Sequence, residues 1–125
     1  WGCGYDAVLG RSCVTVNRHG EVHTARRADG KGADWYACNM RTFEASGMGA
    51  VLLTEAAVNL SDFYTPWEEC VPYGDPREAV QSALWVLAHP DRARAIAAAG
   101  QARTLASHTY RHRAAVLLDW IEALA

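Results

Sequence analysis

NMRTFEASGMGAVLLT, residues 39–54, reads as a short helix, a glycine-marked turn and a buried strand. Met40, Phe43 and Gly47 fall on one helical face, at i, i+3 and i+7. Arg41 and Glu44 are three residues apart, so their side chains can point the same way. Gly47 and Gly49 bracket a turn in which a residue without a Cβ takes up a positive φ at little cost. Ala50-Val51-Leu52-Leu53 is then a continuous apolar run, short enough for a strand covered on both faces. Polar side chains at helix starts in such sheets line the crevice beyond the strand ends, which makes Glu44 a candidate ligand contact.

Working outward, Tyr5 to Gly10 suggests a helix end with Val8 and Leu9 inward. Cys13 to Asn17 is β-branched and reads as a strand. Asn17, Arg18 and His19 therefore belong at its carboxyl edge, as Thr54 and Glu55 do for the second strand. His19 to Asp34 is polar, contains glycine and lacks periodicity, which predicts a loop. Leu60 to Tyr64 fits a short helix, and Glu69 to Tyr73 a third strand whose Pro72 argues against a central position. Asp75-Pro76-Arg77-Glu78 is a helix start: a capping carboxylate, proline at the first position and glutamate at the third. Val80, Ala83, Leu84 and Leu87 form the expected inward stripe of that helix. His89-Pro90 interrupts it, Asp91 to Ala99 restarts a helix, and Gly100 punctuates. A last helix from about Tyr110 places Ala114, Leu117, Leu118, Ile121 and Leu124 on one side. Strands separated by helices pair in parallel through right-handed crossovers, so the fold class is α/β. About three strands are visible, with a helical C-terminal tail.

A chain of 125 residues suits one domain. Half the residues are apolar, enough for a core. A net charge of −2 gives no electrostatic case for nucleic acid or an anionic membrane. No apolar run reaches the 18 or so residues of a spanning helix, and the start shows no signal-peptide pattern. Cys3, Cys13, Cys38 and Cys70 are widely spaced, without a Cys-x-x-Cys pair, and fit reduced thiols in a cytoplasmic setting.

FEASGMGAVLLT resembles the donor-binding segment of glycosyltransferases built from two Rossmann-like domains, the GT-B type. Tyr36-Ala37-Cys38-Asn39-Met40-Arg41 is similar to the spore-maturation-protein-like branch. So is the tail, with its His89-Pro90-Asp91 break and its His108-Thr109-Tyr110-x-His112-Arg113 stretch. The likeness runs from the Tyr5 helix to the C-terminus. It implies that residues 1–125 are the C-terminal part of a nucleotide-sugar-binding Rossmann-like domain. The acceptor domain and the first donor-domain strands would then lie outside this chain, and the piece alone would be inactive. It implies a nucleotide-sugar donor and an acceptor of unspecified kind, with no cofactor and no metal.

The resemblance also assigns residues. The start of the helix near Asn39 would hold the donor diphosphate, through Asn39, Met40 and the planar donors of Arg41. Glu44 would accept hydrogen bonds from the ribose hydroxyls. Asn17, Arg18, His19 and Thr54 are further donor contacts. Tyr36 stands where many retaining relatives carry a second glutamate, so no stereochemical outcome is implied. The plainer reading makes Asn39 a helix cap and pairs Arg41 with Glu44. His108 and His112 are spaced as metal ligands on one helical face, but no third ligand accompanies them and an interhelical role is preferred. His23, Arg26 and Arg27 belong to the solvated loop. Trp67, Trp85 and Trp120 read as packing residues. Competing functions are a non-enzymatic nucleotide- or sugar-phosphate-binding module and a helix-rich protein-interaction domain.

Overall fold

A computed structural model describes residues 3–19 and 39–124. The expectations for 20–34, for His23, Arg26 and Arg27, and for Tyr36 and Cys38 lie outside the described residues. The element order is α1 (Cys3–Leu9), β1 (Val14–Asn17), α2 (Arg41–Gly47), β2 (Val51–Glu55), a 3₁₀ turn (Leu60–Asp62), β3 (Val71–Tyr73), α3 (Pro76–Ala88), α4 (Pro90–Ser107) and α5 (Tyr110–Leu124). Both strand pairings are parallel, Val14 opposite Val51 and Leu53 opposite Val71, in the order β1-β2-β3. The α/β parallel sheet read from the sequence is therefore present. Among the described residues Pro72 sits in an edge strand, where its missing N–H costs no ladder bond.

β2 is the axis of the core. Val51 to Thr54 are buried on both faces, as the apolar run predicts. One face packs Val51 and Leu53 with Val71, Tyr73, Val86, Ala93 and Ile96, bringing in α3 and α4. The other packs Leu52 with Ala45, Leu60, Tyr64 and Cys70, under α2. The turn between α2 and β2 runs through Gly49 at φ 81°, a left-handed conformation that glycine adopts freely. Gln101 of α4 donates to the Gly47 carbonyl at 3.0 Å, satisfying an orphan acceptor at the helix end.

α3 begins as its sequence dictates. The Asp75 carboxylate accepts from the N–H groups of Arg77 and Glu78 at 2.7 and 2.8 Å, and Glu78 reaches back to the Gly74 N–H at 2.7 Å. Its buried face shares only Ala83 with the expected stripe. Val86 is buried and Ala79, Ala83 and Trp85 pack on the core, while Val80, Leu84 and Leu87 are each about 60% exposed. Apolar spacing defines a face but not which of two adjacent faces meets the sheet. Val8 is likewise exposed, and Leu9 alone of that pair is inward. α4 runs unbroken through Gly100 instead of ending there. The glycine serves packing: a Cβ placed on it would collide with the Glu69 backbone carbonyl. The expected face of α5 exists, yet Leu117, Leu118, Ile121 and Leu124 all stand in solvent, as does Trp120.

Gly100→Ala should therefore destabilise the chain, and Gly4→Ala should not. Alanine favours helix by up to about 1 kcal/mol, but at Gly100 it must displace backbone, an overpacking cost of about 1–3 kcal/mol. A Cβ on Gly4, in α1, meets nothing within 4 Å. Urea denaturation should show Gly100→Ala less stable than the parent and Gly4→Ala equal or more stable. A stabilised Gly100→Ala would remove the close approach of α4 to Glu69.

Candidate functional site

The carboxyl edge of β1 and β2 is held by one buried amide. Asn17 is fully buried, and its Nδ2 donates to the hydroxyls of Thr42 and Thr54, both at 3.2 Å. Its Oδ1 accepts from Asn39 Nδ2 at 3.0 Å, and its backbone carbonyl accepts from the Tyr73 hydroxyl at 2.8 Å. Asn39 in turn caps α2, its Oδ1 accepting from the Thr42 N–H at 3.2 Å and the Thr42 hydroxyl at 3.0 Å. Its Nδ2 also reaches the Arg18 carbonyl at 3.3 Å. The side chains of Asn17 and Asn39 are thus spent on one another and on the threonines, which fixes the start of α2 above the strand ends.

His19 continues this floor. Its Nε2 lies 3.3 Å from the Thr54 hydroxyl, and its backbone N–H donates to Glu55 Oε2 at 2.8 Å. Arg18, mostly exposed, faces Glu55 Oε1 at 3.8 Å. His19 is 96% buried, and among the described residues its Nδ1 has no hydrogen-bond partner. Burial lowers its pKa below 6.5, against a smaller upward pull from Glu55.

A groove of about 200 Å³ opens beside this floor, lined by Asn39, Met40, Phe43, Glu44, His108, Tyr110 and Arg113. Glu44 is half-buried there and accepts from the Tyr5 hydroxyl at 3.3 Å. The ion pair with Arg41 does not form, and Arg41 is exposed, outside the groove lining. The opposite wall is the corner between α4 and α5. His108 Nε2 faces the Phe63 carbonyl at 3.2 Å, and its ring packs against Phe43, Phe63 and Tyr64. Burial lowers its pKa below 6.5, opposed by the Phe63 hydrogen bond and assisted by Arg113, Arg103 and His112. The Arg113 guanidinium lies 5.4 Å from the Phe43 ring centroid, and its Nη2 is 3.3 Å from His108 Nδ1.

The sequence-derived residues thus divide. Asn39, Met40 and Glu44 line the groove; Asn17, His19 and Thr54 form the network beneath; Arg18 and Arg41 stand exposed. Thr42, Phe43, Tyr110 and Arg113 escaped residue-by-residue reading. Thr42 was hidden by its place within a helix. Phe43 reads only as part of the apolar face of α2, and Tyr110 and Arg113 are joined to Glu44 only by tertiary packing, although the His108–Arg113 stretch is conspicuous in its own right. His112 turns its Nδ1 to the Thr109 hydroxyl at 2.7 Å, so the two histidines serve a helix corner. Among the described residues no three metal-ligating side chains cluster, and no helix is long and apolar enough to cross a membrane. A second cavity of about 470 Å³ lies at the carboxyl end of β3, by Trp67, Tyr73 and Glu78, and no sequence-derived site residue lines it.

A family model described as glycosyl transferase-like matches residues 3–119. The chain belongs to that family. No curated protein and no solved structure matches it.

Two measurements check the floor. Asn17→Ala removes one partner from each of Asn39, Thr42 and Thr54 at once, so urea denaturation should show a loss of about 3 kcal/mol, three hydrogen bonds at about 1 kcal/mol each. A loss below about 1 kcal/mol would mean that these groups find other partners. The pH dependence follows from His19 and His108, both lowered below 6.5 in the folded chain. Each binds fewer protons folded than unfolded just below pH 6.5. Their contribution to stability is therefore complete above 6.5, falls as pH drops towards the folded pKa values and then levels off. Urea midpoints taken between pH 7.5 and 5.5 should decline, and His19→Asn should lessen the decline; an unchanged profile in that variant would refute the assignment.

Proposed function

We propose that this glycosyl transferase-like chain is the nucleotide-sugar-binding part of a GT-B-type transferase, and that the groove beside α2 receives the donor. The carrying observation is Glu44: a half-buried carboxylate, in a groove of about 200 Å³, that makes no ion pair with the nearest arginine on its own helix. A carboxylate has about four acceptor sites, and Glu44 uses one on Tyr5. The remainder suits a pair of hydroxyls such as those of a ribose. Acidic side chains grip ribose in the same way in dinucleotide-binding α/β folds.

The diphosphate then falls at the start of α2, beside Asn39 and Met40, where the first N–H groups of a helix have no partner within it. Asn39 contributes by holding that helix start in place. Asn17, His19 and Thr54 act as the floor beneath the donor, and Arg18 as an exposed group at its rim. When the sugar leaves, negative charge grows on the nucleoside diphosphate, so donors aimed there lower the barrier as well as binding the ground state. This reading keeps the kinship to the spore-maturation-protein-like branch and an acceptor domain outside these residues. It also keeps a reducing, cytoplasmic setting, in which Cys13 and Cys70 remain thiols.

The rival reading, a helix-rich interaction domain, draws on the exposed apolar face of α5 and makes no use of Glu44. Replacement of Glu44 separates the two. Glu44→Ala should weaken nucleotide-sugar binding by about 1.5–3 kcal/mol, the range for hydrogen bonds to a charged group, and Glu44→Gln by less. Titration calorimetry of the three proteins measures this directly. If a folded Glu44→Ala variant binds donor as tightly as the parent, the ribose assignment fails.

A further inference from the structure

We propose that Arg113, held by His108 against the Phe43 ring, is the cation that receives the donor diphosphate in the Glu44 groove, a role that the sequence reading assigns to Arg41. This rests on the reading that the groove takes a nucleoside diphosphate. α2 has only seven residues, and a helix of about two turns supplies few aligned peptide dipoles, so two phosphates there call for a full positive charge nearby. Arg41 precedes Glu44 by three residues but lies outside the groove lining. Arg113, remote in sequence, lines the same groove as Glu44 and forms no ion pair with it.

The guanidinium is prearranged. The Phe63 carbonyl can only accept, so His108 Nε2 carries the proton at their 3.2 Å contact. In the neutral ring that leaves Nδ1 as an acceptor, and Arg113 Nη2 donates to it at 3.3 Å. Burial favours this neutral form. With one donor on His108 and its face over Phe43, Arg113 keeps its remaining N–H groups for a ligand. The groove thus offers acceptors at Glu44 and donors at Arg113 without mutual cancellation. That pairing matches a molecule carrying hydroxyls at one end and an anion at the other, as a ribose diphosphate does. His108 is a positioning residue in this arrangement.

The experiment is titration of the 125-residue chain with uridine, guanosine and adenosine 5′-diphosphates, each beside its own nucleoside. Arg113→Ala, Arg41→Ala, Glu44→Ala and the neighbouring Arg111→Ala are compared with the parent. Both Arg113 and Arg111 are exposed, so folding should survive, as circular dichroism and the urea midpoint would verify. Arg113→Ala should weaken the preferred diphosphate about tenfold or more, the lower end expected for charge-assisted hydrogen bonds, while nucleoside binding is unchanged. Arg111→Ala should keep the parental affinity. The proposal is overturned if folded Arg113→Ala holds the diphosphate within about twofold of the parent. It is also overturned if the loss appears in Arg41→Ala instead, or if no diphosphate binds the parent more tightly than its nucleoside. A loss in Arg113→Ala with none in Glu44→Ala would support the cation and remove the ribose reading. The reverse result would keep the ribose reading and remove Arg113.

Discussion

The structure depends on a single buried primary amide. Asn17 closes β1, and from that position its side chain binds β2 through Thr54, α2 through Thr42, and the helix cap through Asn39. An amide suits the place because it donates twice and accepts in one plane, which no other side chain of that size does. An apolar residue would fill the space but take one hydrogen-bond partner each from the Thr42 and Thr54 hydroxyls and the Asn39 amide. A buried network of this kind specifies geometry more than it adds stability, since each bond only replaces one made to water. What it specifies is the height and angle at which α2 leaves the sheet. The position of Glu44 in the groove follows from that angle.

Much of this fold could be read locally. The Asn39–Thr54 segment contains its own helix, turn and strand, because each is set by neighbours: a cap, a left-handed glycine at 49 and an apolar run. The start of α3 is equally local, its two capping bonds spanning two and three residues. Reading failed where the cause lay far along the chain. Gly100 looks like a helix end, yet the reason for glycine there is the Glu69 carbonyl, thirty-one residues away. Val80, Leu84 and Leu87 look like a core stripe, yet the sheet takes the neighbouring face through Ala79, Ala83 and Val86. At the site, Glu44 was legible because its place at a helix start above a strand is a local fact. The wall facing it was not, since Phe43 and Arg113 meet only after α4 has folded back along α2.

The groove also shows how a small α/β sheet with its helices sets opposite charges side by side without wasting them. Glu44 is anchored to Tyr5 and Arg113 to His108, so each has a neutral partner that fixes it. A direct salt bridge would have spent both, and a ligand entering later would first have had to break it. Neutral anchors hold the two groups in position while leaving their outward capacity free. Preorganisation of this sort favours binding, because little side-chain freedom remains to be lost when a ligand arrives.

The exposed apolar faces of α3 and α5 bear on how stability responds to temperature. Val80, Leu84, Leu87, Leu117, Leu118, Trp120, Ile121 and Leu124 are each more than half exposed in the folded chain, so unfolding adds less contact with water there than at core positions. The heat capacity of unfolding arises mainly from newly hydrated apolar surface and averages about 12–15 cal/mol/K per residue in globular proteins. On that ground this chain is expected to fall below that average. Its stability therefore follows a shallower dome with temperature, and cooling weakens it less than it would a fully packed domain of the same length.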